Sequence, residues 1–223
     1  MAHEINNPLT GILGNILLIK SYPQDAASFE KRVSVIESET LRARDIVRNL
    51  LDFARKGDLE RTPAEIENLI EHTPLLMNHQ AGLGSVKINT RFDDALPQLV
   101  IDANQMKPVF INIIHNAIQS MPDGSVLDIT SRVRSNGAGK MMEIAFADTG
   151  IGMDRHYASH VFDPFFTTKR VSEGTGLGLS VSQKIVSEPG GEITVESEPG
   201  NGSIFTITLP VQPGFRQEER HVA

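Results

Sequence analysis

The spacing of apolar residues over residues 3–56 constrains the fold more than any other feature of the chain. From Phe29, apolar or small side chains recur at Val33, Ile36, Thr40, Ala43, Val47, Leu50 and Ala54. Their steps alternate four and three, the seam of a helix in coiled-coil-like packing. An earlier seam runs through Ile5, Leu9, Ile12, Ile16 and Ile19, widened by Leu13 and Leu17. Between them, Ser21-Tyr22-Pro23-Gln24-Asp25 supplies a turn and a capping carboxylate. This reads as a helical hairpin. Its apolar faces are too broad to be buried within one copy, so a homodimer forming a four-helix bundle is expected.

Past Lys56-Gly57-Asp58 the pattern changes, placing a boundary between a first domain at 1–57 and a second at 58–223. The spacing predicts a helix over about 64–80, a strand at Val86–Phe92 and a helix at Gln105–Met121. Strands follow at Val126–Val133 and Met141–Ala147, a glycine-rich stretch at 148–178, a helix over about 177–187, and strands at Glu192–Ser197 and Ser203–Leu209. Strand runs with helices between them argue for an α+β fold, helices on one face of a mostly antiparallel sheet. The polar tail from Gln212 is expected to fray.

Composition removes several function classes. There is no cysteine among the 223 residues, so disulfide frameworks, thiolate metal clusters and cysteine nucleophiles are excluded. The balance of 21 basic against 28 acidic residues gives −7, which argues against nucleic-acid binding through bulk charge. No apolar run approaches the roughly 20 residues that cross a bilayer, and residues 1–20 lack a signal-peptide layout. A cytoplasmic setting without membrane contact is expected for this stretch.

Four constellations carry chemistry. In the first helix, His3 lies two residues before the seam residue Ile5, so its imidazole is expected to face solvent as a usable nucleophile. Glu4 is placed to accept from one ring nitrogen, and Asn7 sits one turn on from His3. Pro8 is expected to bend the helix just beyond them. Second, Asn112 and Asn116 stack one turn apart among isoleucines, a polar pair whose carboxamide oxygens suit magnesium. Third, Asp148 ends an apolar strand ahead of Gly150 and Gly152, offering an acceptor for an exocyclic amino group beside backbone that can approach a planar ring. Fourth, Gly174-Thr175-Gly176-Leu177-Gly178 opens a helix, a cradle for phosphate. It is neither a dinucleotide fingerprint nor a P-loop. The intervening segment, about 154–175, reads as a lid whose Phe162, Phe165 and Phe166 need something to dock on. His156 and His160 have chelating spacing but no third ligand, and are read as ordinary surface histidines.

Together, in this order, HEINNPL, NIIHNA, DTGIG, FDPFFTTK and GTGLGLS resemble the phosphoacceptor, N, first glycine, F and second glycine boxes of two-component sensor histidine kinases. The resemblance runs from His3 to Pro210. It implies a dimerisation and histidine-phosphotransfer hairpin followed by a Bergerat-type ATP-binding domain. By this match His3 is the phosphorylated residue, Glu4 its acid/base partner, and Asn7 orients water in dephosphorylation of a response regulator. Asn116 holds Mg2+, Asp148 reads adenine, the second glycine box holds the phosphates of ATP, and Lys169 is a lid residue near the terminal phosphate. The implied partners are a second copy and a receiver domain. Only Met1 and Ala2 precede His3 where the family's helix extends further, so the hairpin is expected to be truncated, with Met1–Asn7 frayed. Pro189 stands where many relatives continue their helix and is expected to shorten it. Two alternatives remain: a Bergerat ATPase that hydrolyses ATP, and a non-catalytic dimeric docking module. Against hydrolysis, those relatives carry a glutamate where this chain has Asn112, and an amide cannot take water's proton.

Overall fold

The computed structural model describes residues 2–22, 25–54, 60–80, 86–93, 96–122, 125–136, 139–167 and 176–211. The chain divides into two compact units. The first contains α1 (Ala2–Ser21) and α2 (Ala26–Ala54), packed as an antiparallel hairpin. Asp25 caps α2: its Oδ1 accepts from the Ser28 amide at 2.7 Å and its Oδ2 from the Ser28 hydroxyl at 3.2 Å. The Ser28 amide, with help from the hydroxyl, holds the Asp25 carboxyl below its ordinary range. The helical backbone of α1 begins at Ala2 and continues through Pro8, where the sequence suggested a frayed first turn. Pro8 is itself buried, and packing offsets the missing amide. Within one copy Ile12, Ile19, Ile36 and Ala43 are half-buried, while Leu9, Leu13, Leu17, Phe29 and Val33 stay exposed.

The second unit is built on a five-stranded sheet of order β2 (Lys87–Phe92), β4 (Val126–Asn136), β5 (Gly139–Asp148), β7 (Ser203–Pro210), β6 (Glu192–Ser197). β2 runs parallel to β4, and the other pairs are antiparallel. The alternation along β5 and β7 puts Met142, Ile144, Phe146, Phe205, Ile207 and Leu209 on one face. The helices α3 (Ile66–Gln80), α4 (Ala103–Ser120) and α6 (Gly178–Ser187) bury their apolar stripes there. Phe110 of α4 meets Phe146 with ring centroids 6.0 Å apart, and burying a side chain of that size contributes about 1.5–3 kcal/mol. Asp102 starts α4 by accepting from the Asn104 amide at 2.9 Å.

Two features are not foreshadowed by periodicity. A small antiparallel pair joins β1 (Thr62–Ala64) to β3 (Leu99–Ile101), three residues each, too short to show alternation. The helix α5 (Arg155–His160) buries none of its residues, so it carries no apolar stripe to read. Its cap is Asp154, which accepts from the Tyr157 amide at 2.8 Å. β4 and β5 extend past the expected ends through polar Arg134, Ser135 and Lys140, because a hairpin ladder needs no apolar side chains. No helix among the described residues is long and apolar enough to cross a membrane.

Candidate functional site

One face of α4 organises the second unit's polar site. Asn112, Asn116 and Ser120 follow at four-residue spacing, so they stack along one side of the helix over about 12 Å. At the first end, the Asn112 carboxamide lies flat on the start of α6. A Cβ at Gly178 would clash with Asn112 Oδ1 and stand only 2.9 Å from its Cγ. Asn112 Nδ2 donates to Ser182 Oγ at 3.1 Å, and Asn116 Nδ2 faces Asn112 Oδ1 at 3.5 Å. At the far end, the Ser120 carbonyl accepts from the Ile151 amide at 3.0 Å, stapling the first glycine loop to the end of α4. A Cβ at Gly150 would meet that carbonyl at 2.6 Å, so only glycine permits the approach.

Asp148 closes β5 beside this loop and is 6% exposed. Its Oδ1 accepts from the Gly150 amide at 2.8 Å and the Ser203 amide at 3.2 Å, leaving Oδ2 without a donor among the described residues. Burial raises its pKa from the ordinary carboxylate value, and the two amides oppose the rise without cancelling it. A buried acceptor with one oxygen fixed and the other unclaimed suits a donor brought by a ligand. Gly152 and Gly202 tighten the same corner, each passing too close to the Glu198 or Asp148 carbonyl to carry a side chain.

The lid segment is described as far as Thr167. Phe162 packs on the core, its ring edge-on to Phe205 at 6.4 Å. Phe166 sits beside Tyr157 and His160, with centroids at 6.0 and 5.9 Å. The three phenylalanines that needed something to dock on are therefore half-buried. Phe165 takes a φ of 70° and its amide donates to the Gly176 carbonyl at 2.9 Å, so the two ends of the segment meet there. His160 Nδ1 contacts the His156 carbonyl at 2.8 Å, and no group of three metal-ligating side chains occurs among the described residues.

The structure thus brings Asn112, Asn116, Gly176, Leu177 and Gly178 to one end of the α4 stripe and Asp148, Gly150 and Gly152 to the other. Lys169, Gly174 and Thr175 lie outside the described residues, as do the side chains of His3 and Glu4; Asn7 is exposed on α1. Sequence reasoning missed Ser120 and Ser182. The four-residue spacing from Asn116, and from Gly178 within α6, was the signal available for each.

A family model described as histidine kinase-, DNA gyrase B- and HSP90-like ATPase matches residues 101–213, and the His Kinase A (phospho-acceptor) domain matches residues 1–59. Sporulation kinase E of Bacillus subtilis (strain 168) is 39% identical over 213 residues, covering 95% of this chain and 28% of its own length. Signal transduction histidine-protein kinase AtoS of Escherichia coli (strain K12) is 32% identical over 217 residues, covering 97% and 35%. The chain therefore spans well under half of either relative. Among solved structures, histidine kinase ThkA in complex with response regulator protein TrrA superposes with a TM-score of 0.78 at 28% identity, covering 96% of this chain and 61% of that one.

Proposed function

Because the chain belongs to the two-component sensor histidine kinases, within the wider histidine kinase-, DNA gyrase B- and HSP90-like ATPase family, we propose that it autophosphorylates His3 from ATP and passes the phosphoryl group to an aspartate of a response regulator. The observation that carries this is the α4 stripe. It joins an unclaimed buried carboxylate oxygen at Asp148 to a glycine-only helix start at Gly178, the two ends a base and a phosphate chain require. In this reading Asp148 accepts the adenine amino group while Gly150 and Gly152 let the ring approach. The amides of the second glycine box meet the phosphates. The residues present also fit Mg2+: Asn116 turns its nitrogen to Asn112, and a carboxamide oxygen is a suitable hard ligand for that cation. When bound, that cation neutralises phosphate charge.

His3 supplies the nucleophile. One ring nitrogen bonds to the γ-phosphorus as the bond to the ADP oxygen breaks, and Glu4 takes the proton from the other ring nitrogen. Asn7 orients water for removal of the regulator's phosphate. We place the division between the transfer hairpin and the ATP-binding domain at 57/58, with Lys169 in a lid over 154–175. The exposed apolar residues of α1 and α2 support a homodimer, and the neighbour solved with its response regulator supports a receiver domain as second partner. We place the chain in the cytoplasm. The hydrolase alternative fares worse, because Asn112 is a neutral amide already donating to Ser182 and has no capacity to accept water's proton.

The test is incubation with Mg2+ and γ-labelled ATP. An acid-labile, base-stable label on the protein that disappears in His3→Gln supports the reading. Release of inorganic phosphate with no labelled protein refutes it.

A further inference from the structure

One row of residues crosses the end of the sheet beside the first glycine loop. Asp148 on β5 stands directly opposite Ser203 on β7, and Ser203 directly opposite Ser197 on β6. Residues paired in register project from the same face of a sheet, with Cβ atoms about 4.5–5.5 Å apart. Three polar side chains therefore line up where the next row on that face, Phe146, Phe205 and Val195, is apolar. Asp148 and Ser203 are both buried, and neither serine has a part in the chemistry proposed above. Ser197 is the hub of the row. Its Oγ accepts from the Met153 amide at 2.7 Å and donates to the Gly202 carbonyl at 2.9 Å, which uses its single proton. Ser203 Oγ lies 2.9 Å from the same oxygen and must therefore donate to it. With its proton placed there, Ser203 meets Asp148 through its backbone alone, the amide donating to Oδ1 at 3.2 Å. Without an acceptor at residue 197 the Ser203 proton is released, and the carboxylate across the row is a strong acceptor for it.

We propose that Ser197 is a positioning residue for nucleobase recognition: it takes up the Ser203 proton and so keeps the Asp148 carboxylate for an amino group on the base. This rests on the reading of Asp148 as the adenine acceptor. The experiment is calorimetric titration of the full chain in Mg2+ with ADP and with inosine diphosphate, alongside a thermal melt. The two ligands differ at the group that Asp148 would read, since hypoxanthine carries a carbonyl where adenine has its amino group. The wild-type chain is expected to prefer ADP. In Ser197→Ala the Ser203 hydroxyl competes for the carboxylate, so ADP affinity should fall about tenfold while inosine diphosphate affinity stays nearly unchanged. Ser197→Thr keeps the hydroxyl and should keep the preference. If the alanine variant does not fold, Ser197→Val against the isosteric Ser197→Thr carries the test, with the preference lost only in valine. Equal weakening for both ligands points to a merely structural role and overturns the inference, as does an ADP preference that survives Ser197→Ala. If the wild-type chain binds the two ligands equally, the assignment of Asp148 itself fails and this inference falls with it.

Discussion

Gly178→Ala probes the site most directly, because the structure gives glycine there an unusual reason. At the start of a phosphate-binding helix, glycine is ordinarily read as exposing amides to the ligand. Here an added Cβ would clash with Asn112 Oδ1 and stand 2.9 Å from Cγ and 3.0 Å from Nδ2 of the same side chain. The obstacle is a half-buried carboxamide, so it moves. Moving it breaks the bond to Ser182, a net loss of about 0.5–1.5 kcal/mol, and forces a strained rotamer for about as much again. Alanine's helix propensity returns up to about 1 kcal/mol, less at a first helical position. The expected balance is a loss of about 0.5–2 kcal/mol, roughly 2–4 °C in Tm per kcal/mol for a domain of this size. Urea unfolding of Gly178→Ala, Asn112→Ala and the double variant makes the test specific. Once Asn112 is already truncated, Gly178→Ala should become neutral or stabilising. Equal destabilisation in both backgrounds would refute the argument, since the Cβ would then be meeting something other than Asn112.

Gly176→Ala should be worse than Gly178→Ala. Its φ is +65° and the new Cβ would stand 2.5 Å from the Phe165 carbonyl carbon, which is backbone and yields little, so about 2–4 kcal/mol is expected by chemical denaturation. Asp148→Asn should abolish ATP binding by calorimetry without unfolding the domain, as the amide oxygen can still take both amides. The raised pKa of Asp148 means its favourable contribution is present below the unfolded value of 3.8 and is lost as pH rises through the folded value. Asp148→Asn should therefore gain stability relative to wild type as pH climbs out of the acid range, and a pH series of melts showing the opposite slope would contradict the cause assigned. Ser131→Ala should stabilise by about 1 kcal/mol in urea, because the Ser131 hydroxyl is buried without a partner among the described residues.

What the sequence made legible follows from what leaves a periodic trace. The hairpin announces itself because apolar residues recur at three and four, α4 because burial of one helix face does the same, and β5 and β7 because one sheet face is covered. β1 and β3 are too short to repeat anything, and α5 buries no residue. The site divides the same way. Asn112, Asn116 and Asp148 stand out because a polar residue in an apolar run needs a reason. Ser182 does not, because a serine in a helix is ordinary until its neighbour across the groove is known. The glycines were found for one reason and kept for another. Phosphate binding asks only that amides be free and ring binding only that backbone come near, yet Gly178 packs on Asn112, Gly150 on the Ser120 carbonyl and Gly176 on the Phe165 backbone. The Asn112 and Ser120 contacts join segments far apart in sequence, and the Phe165 contact spans a loop, so spacing alone holds no record of them. It follows that substitutions in the glycine boxes should affect folding before nucleotide is added, and Gly178→Ala measured without ATP is the case in which the two accounts diverge. A pure phosphate-contact role leaves apo stability unchanged or raised, whereas packing against Asn112 lowers it.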